Sequence, residues 1–292
     1  MTLSTLIENK NKKYLWLFIV LPTLGTLFFV PSMVQAANCG GAIQCQCGDT
    51  LTESQTMWYD LNNCPNNGLN IGANNITLNC DNHLIDANNS YPPSIGVYLN
   101  NRQGASVMNC HVQEFNDAGI EIFYGFNNLL SYNTTTNNDV GIYLSSTSDN
   151  NINNNNSSSN LTDGINFDNG NNNSISNSIA NNNYTGFYLA PGSNNTIQNS
   201  TSDYNSYYGI FVEGNSNSLT GNNSNHNGVN GIYLHGGSGS TVMGNTANYN
   251  NNGAPFYSGH GIFLYTSANN NILNNTANYN SQSGLTAFPK EI

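Results

Sequence analysis

Gly141-Ile142-Tyr143-Leu144 is one copy of a pattern that recurs along the chain. The other copies are Gly96-Val97-Tyr98-Leu99, Gly119-Ile120-Glu121-Ile122, Gly164-Ile165-Asn166-Phe167, Gly186-Phe187-Tyr188-Leu189, Gly209-Ile210-Phe211-Val212, Gly231-Ile232-Tyr233-Leu234 and Gly261-Ile262-Phe263-Leu264. Gly284-Leu285-Thr286-Ala287 is a weaker copy, and Gly68-Leu69-Asn70-Ile71 an early one. From Gly96 onward the glycines follow at steps of 22 or 23 residues, with a single step of 30 before Gly261. A period that strict means one structural unit stacked on itself.

Each unit holds a second apolar segment of Asn-Ile type, as in Asn150-Asn151-Ile152, Asn173-Ser174-Ile175, Asn195-Thr196-Ile197 and Asn270-Asn271-Ile272. A third, weaker segment carries small residues, as in Thr246-Ala247 and Thr276-Ala277. No helical periodicity intervenes. Three short strands separated by polar turns describe one coil of a parallel β-solenoid. Each strand then bonds its equivalent in the next coil, roughly 4.8 Å away. Asn makes up roughly one residue in five. It tolerates left-handed turns, and its amides can bond one another up the axis. Glycine opens the main strand where a Cβ would obstruct the bend.

The ends differ from the repeats. Lys10, Lys12 and Lys13 precede an apolar run from Tyr14 to Val30, and Val34-Gln35-Ala36 follows as a small-residue cleavage site. Residues 1–36 therefore read as a secretory signal peptide, with an uncleaved anchor as the rival. Residues 37–67 read as a Cys-rich N-terminal cap, and residues 68–292 as about ten coils.

Charge excludes whole classes of partner. The chain has five Lys and Arg against 16 Asp and Glu, and only Arg102 and Lys290 lie beyond the leader. Binding nucleic acid needs many bases to neutralise phosphates. Stable association with an anionic membrane after cleavage fails on the same ground.

All six cysteines come early: Cys39, Cys45, Cys47, Cys64, Cys80 and Cys110. An even count in an exported chain argues for disulfides. Cys80 and Cys110 follow Ile76 and Val107, read as equivalent strand positions, so adjacent coils would stack them. Cys47 with Cys64 and Cys39 with Cys45 complete one of several pairings. Zinc is the rival, but Cys45-Gln46-Cys47 lacks the usual pair spacing and no His pair lies near.

These repeats, with Cys47-Gly48-Asp49-Thr50-Leu51-Thr52 and Asn74-Asn75-Ile76-Thr77-Leu78-Asn79-Cys80, resemble the right-handed parallel β-helix proteins with PbH1-type repeats. That group includes the NosD-like, carbohydrate-binding and sugar-hydrolase family. The resemblance covers roughly residues 47–290 and implies the handedness of the coil. It leaves the activity open, since such proteins include lyases, hydrolases, epimerases and pure scaffolds. The Asp-Pro-His-Asp signature of mannuronan epimerases is absent. A lyase needs a charge neutraliser beside the uronate, and Arg102 is the only base within the repeats. Scattered histidines and few methionines give no support to a copper role.

Within the glycine strand, the first and third residues after Gly face in and the second faces out. The outward column reads Tyr98, Glu121, Tyr143, Asn166, Tyr188, Phe211, Tyr233 and Phe263. Aromatic faces at a regular rise suit stacking on sugar rings; good strand formers covering their own sheet are the bland alternative. The fourth position holds Asp168, Glu213 and His235. Asp168 and Glu213, two coils apart, approach the spacing of an inverting glycoside hydrolase. Asp117, Asp139 and Asp163 stack before three consecutive glycines and suggest Ca²⁺, against solvated loop acids as the plain reading. Two insertions, one with Tyr91-Pro92-Pro93 and one with Ala254-Pro255-Phe256-Tyr257, should project at one edge of the sheet.

The expectation is a secreted, periplasmic or cell-surface β-helix that binds carbohydrate along Tyr98, Tyr143, Tyr188, Phe211, Tyr233 and Phe263. The alternatives are a polysaccharide hydrolase built on Asp168, Glu213 and His235, and a passive structural or adhesive rod.

Overall fold

Three parallel sheets run the length of the molecule, and every coil adds one rung to each. The computed structural model describes residues 37–88, 94–251 and 259–288, all in the unit from Gln35 to Ile292. The leader and both insertion loops lie outside the described residues. The glycine strands form a 12-stranded sheet and the Asn-Ile strands a 10-stranded one. The small-residue strands form a five-stranded sheet. That sheet continues as single bridges from Asn156 through Ile179, Thr201, Asn223 and Thr246 to Thr276. Parallel strand pairing, with no helix among the described residues, gives a β-solenoid of about ten turns, as the period predicts.

The inward positions make the core. Ile120, Ile142, Ile165, Phe187, Ile210 and Ile232 are fully buried, and so are Leu130, Ile152, Ile175, Ile197 and Leu219 in the Asn-Ile sheet. Polar groups in the turns between sheets are buried as well, and the asparagines satisfy them. The Asn128 N–H and Nδ2 both donate to Asn150 Oδ1, at 2.9 and 3.1 Å. Asn150 repeats this with Asn173. A second column runs through Asn133 and Asn155, and a third through Asn138, Asn160, Asn183, Asn205, Asn227, Asn250 and Asn280. Each asparagine thus supplies the acceptor that a buried backbone N–H of the preceding coil requires.

The repeat glycines that open the main strands serve space rather than a left-handed backbone. A Cβ on Gly141 would overlap Ser157 Oγ and lie 2.6 Å from Asn160 Nδ2 and 2.7 Å from the Gly164 carbonyl oxygen. The glycine strand enters each coil between the third asparagine column and the next glycine, and only hydrogen fits there.

The disulfides are Cys39–Cys45, Cys47–Cys64 and Cys80–Cys110. No described cysteine is free. One expectation is corrected in register: Val107 pairs with Leu78, not with Ile76. The equivalence holds two residues later because Cys80 and Cys110 follow Leu78 and Val107 by nearly the same count. The cap is itself built as a coil, since Thr50–Leu51, Gln55–Thr56 and Leu61–Cys64 each pair with the next rung of one sheet.

Candidate functional site

The outer face of the glycine sheet carries the candidate residues, and the register aligns them as one column. Tyr98 pairs with Glu121, and Glu121 with Tyr143. Tyr143 pairs with Asn166, Asn166 with Tyr188, and Tyr188 with Phe211. Tyr233 and Phe263 complete it.

The column has two halves of different character. In the C-terminal half the rings cover one another. Tyr188 stacks on Phe211 at 4.9 Å between centroids and 13° between planes. Phe211 meets Tyr233 edge-on at 5.2 Å, and Tyr233 lies 5.0 Å from Phe263. Tyr208, from the turn before the strand, stacks on Phe211 at 5.6 Å and meets Tyr233 edge-on. His260 stacks on Phe263 at 5.0 Å, and Phe288 meets it edge-on. Phe211 is 8% exposed and Phe263 is fully buried. The expectation of a water-facing ring therefore fails at both, because side chains from neighbouring turns and strands close over them.

In the N-terminal half Tyr98, Tyr143 and Asn166 are half-buried, and among the described residues no ring stacks on either tyrosine. Carboxylates fill the spaces. Glu121 is 8% exposed, and burial, with the charge of Asp117, raises its pKa to about 7. Asp163 Oδ2 accepts from Asn166 Nδ2 at 2.6 Å. Burial foremost, with Asp139 adding to it, still lifts Asp163 to about 6. Burial raises Asp117 too, helped by Asp139. Asp139 is raised by burial against a hydrogen bond to Thr162. Tyr143 donates its hydroxyl to Asp168 Oδ2 at 3.2 Å.

The hydrolase trio is not assembled as one group. Glu213 Oε2 lies 3.6 Å from His235 Nδ1, both partly exposed, while Asp168 turns back to Tyr143. The three acids of the calcium expectation do not gather as one ligand group. Among the described residues no group of three His, Cys, Asp or Glu side chains could hold a metal. Asp163 stands one residue closer to its glycine than Asp117 and Asp139 do, and it spends its oxygen on Asn166.

Reading single strands missed the side chains that arrive from the turns: Tyr184, Tyr207, Tyr208 and His260. It also missed a second ring column. Tyr204, His226, Tyr249 and Tyr279 stack in succession at 4.9 to 5.0 Å with interplanar angles of 3 to 11°. The signal was present. Each of these residues immediately precedes an asparagine of the third buried column, as in Tyr204-Asn205 and Tyr249-Asn250.

A family described as right handed beta helix region matches residues 61–189 and again residues 163–291, well over half of the chain. Solved structures with the same fold act on polysaccharides by name. A double mutant of the periplasmic alginate epimerase AlgG aligns with a TM-score of 0.58 at 15% identity. The alignment covers 82% of this chain and 57% of that one, so this chain spans little more than half of the epimerase. An alginate lyase from Paenibacillus sp. str. FPU-7 gives 0.58 at 13% identity, over 85% of this chain and 99% of that one. Pectate lyase Pel9A gives 0.53 at 17% identity, over 80% and 72%. Identities this low carry the fold and not the chemistry. No curated protein sequence matches the chain.

Proposed function

The chain belongs to the right-handed β-helix family, and from that premise we propose that it is an exported protein binding an uncharged polysaccharide along the N-terminal half of its glycine sheet. The carrying observation is the pair Tyr98 and Tyr143. Their rings are partly exposed and have no ring partner among the described residues, and they are held in register two coils apart with Glu121 between them. Flat apolar faces with polar groups between them suit sugar rings, which present C–H faces and hydroxyl edges. Three disulfides fit an oxidising compartment.

Charge selects the class of glycan. Asp117, Glu121, Asp139, Asp163 and Asp168 crowd this face, and Arg102 is the only Lys or Arg among the described residues. Its Nη1 is spent on the Gly72 carbonyl at 3.0 Å. A polyuronate, the kind of polymer named for the structural neighbours, would meet like charge here with no base to offset it. Affinity electrophoresis in gels cast with neutral polysaccharides or with alginate tests this. The reading expects retention by a neutral polymer, lost in Tyr98→Asn/Tyr143→Asn; Asn already occupies the equivalent site at Asn166. Retention by alginate alone would overturn it.

One observation favours a second reading, glycoside hydrolysis. A carboxyl with a pKa of about 7, as at Glu121, keeps its proton near neutrality and can serve as a general acid. Reducing-sugar release from a neutral polysaccharide, abolished in Glu121→Gln, would establish it. Release unchanged in that variant would remove Glu121 from the chemistry.

A further inference from the structure

Between the third sheet and the glycine sheet, the turns of four consecutive coils enclose an open cleft of about 610 Å³. Asn137, Ser159, Leu161, Asn182, Tyr184 and Tyr204 are among the residues that line it. The volume lies within the range of small-ligand sites. We propose that this cleft is a second saccharide site, separate from the sheet face, for a short uncharged oligosaccharide.

Two rings are presented to it. Tyr204 and Tyr184 each begin a stack, and each has a ring partner on the side of the following coil: His226 at 4.9 Å and 3°, and Tyr207 at 4.8 Å and 9°. Going the other way, the turn before Tyr204 carries Asn182 and the turn before Tyr184 carries Leu161. Among the described residues no ring covers the second face of either tyrosine. Tyr204 is 59% exposed, Tyr184 48% and Leu161 77%. A solvated loop gains nothing by exposing three large apolar side chains around one hollow, whereas a sugar ring stacks on such faces.

The polar groups complete the chemistry. Asn137, Ser159 and Asn182 occupy the same turn position in successive coils, all with left-handed backbone (φ 57°, 61° and 58°). Their backbones are committed, as where the Asn137 N–H donates to the Ser159 carbonyl, yet their side chains have no hydrogen-bond partner among the described residues. Two amides and a hydroxyl therefore stand at one coil spacing beside two ring faces, donors and acceptors matched to hydroxyls rather than to a charge. None of the cleft's lining residues is charged, and the electrostatic neighbours that reach it are acidic, since Asp163 raises the Tyr184 pKa after burial and Tyr207. An anionic sugar is disfavoured on both counts.

The variants that test this preserve the turn. Tyr204→Asn installs what Asn182 already places one coil earlier, and Asn accepts φ near +60°. Tyr184→Ser copies Ser206, its counterpart one coil later. Cellotriose, xylotriose and mannotriose are titrated calorimetrically at millimolar concentration, with trigalacturonate as the charged control. At least one neutral trisaccharide should bind and trigalacturonate should not. Each substitution should weaken that binding about tenfold, the scale of one lost ring stack, with an unchanged far-ultraviolet spectrum. Every titration is made in the Tyr98→Asn/Tyr143→Asn background, which removes the sheet face, so that the trisaccharide binding it reads belongs to the cleft. Absence of binding by all three neutral trisaccharides would overturn the cleft site. So would binding in that background that survives Tyr204→Asn and Tyr184→Ser.

Discussion

The two halves of the glycine sheet place their outward residues at the same repeat position, in the same register, and use them differently. From Tyr188 to Phe263 the rings lean on one another and on Tyr208, His260 and Phe288. From Tyr98 to Asn166 the tyrosines stand apart, with Glu121, Asp163 and Asp168 among them. The repeat decides where a side chain points. The turn before the strand decides whether anything lies on top of it. The tyrosines of the first half stand clear of other rings among the described residues, whereas Phe211 and Phe263 of the second half belong to a small external core.

The largest expected effect follows from that contrast. Phe263→Ala removes a fully buried ring and should cost about 3 kcal/mol or more. Tyr143→Asn, in the open half, should cost less than about 1 kcal/mol. Chemical denaturation of both variants measures the difference, and equal losses would erase the distinction between the halves.

Acid–base behaviour sharpens it next. Burial raises Glu121 from an ordinary value of 4.5 to about 7 and Asp163 from 3.8 to about 6. The folded state thus holds protons that the unfolded chain has released. Their stabilising contribution is complete below about pH 4 and is lost as pH rises through 6 to 7. Thermal stability should fall across that window. Glu121→Gln should flatten the fall and stabilise the protein at pH 8 by about 2 kcal/mol, after allowance for solvent screening. A parent whose stability rises from pH 4.5 to 7 would contradict these assignments.

The smallest effect belongs to the Glu213–His235 pair. At 3.6 Å, with both side chains partly exposed, Glu213→Gln, which leaves the His235 ring stacked on Tyr265, should change stability by no more than about 0.5 kcal/mol at pH 6. A larger loss would mean that the pair, not the rings, organises the second half.

Much of this was legible in the residues. The spacing of Gly119, Gly141 and Gly164 fixes the coil, and alternation fixes which neighbours of each glycine enter the core. The disulfide partners follow from stacking once equivalent strands are aligned, even though the residue level with Val107 is Leu78 and not Ile76. The asparagine columns were legible as turn ladders, but not their burial, which depends on each amide reaching a backbone N–H of the preceding coil. Coverage of Phe211 and Phe263 was not legible, because it depends on how Tyr208 and His260 leave their turns, and a strand pattern carries no term for that. The cleft beside Tyr204 was hidden for the same reason. Its residues sit in left-handed turns, where period-two alternation says nothing about direction. The acids show the limit most plainly: Asp117, Asp139 and Asp163 look equivalent by spacing, yet one residue of offset takes Asp163 to Asn166 and away from a shared ion.

The central claim is that the open half of the sheet is a binding face for uncharged glycan. Its most direct test is the dissociation constant of the intact protein for a neutral hexasaccharide, cellohexaose, xylohexaose or mannohexaose, beside that of Tyr98→Asn/Tyr143→Asn and of Phe211→Leu. With Tyr204→Asn and Tyr184→Ser present throughout to silence the cleft, the double substitution should weaken binding at least about tenfold, while Phe211→Leu, within the packed half, should leave it unchanged. Equal affinities for the double variant and the parent, or no neutral hexasaccharide bound at all, would contradict it.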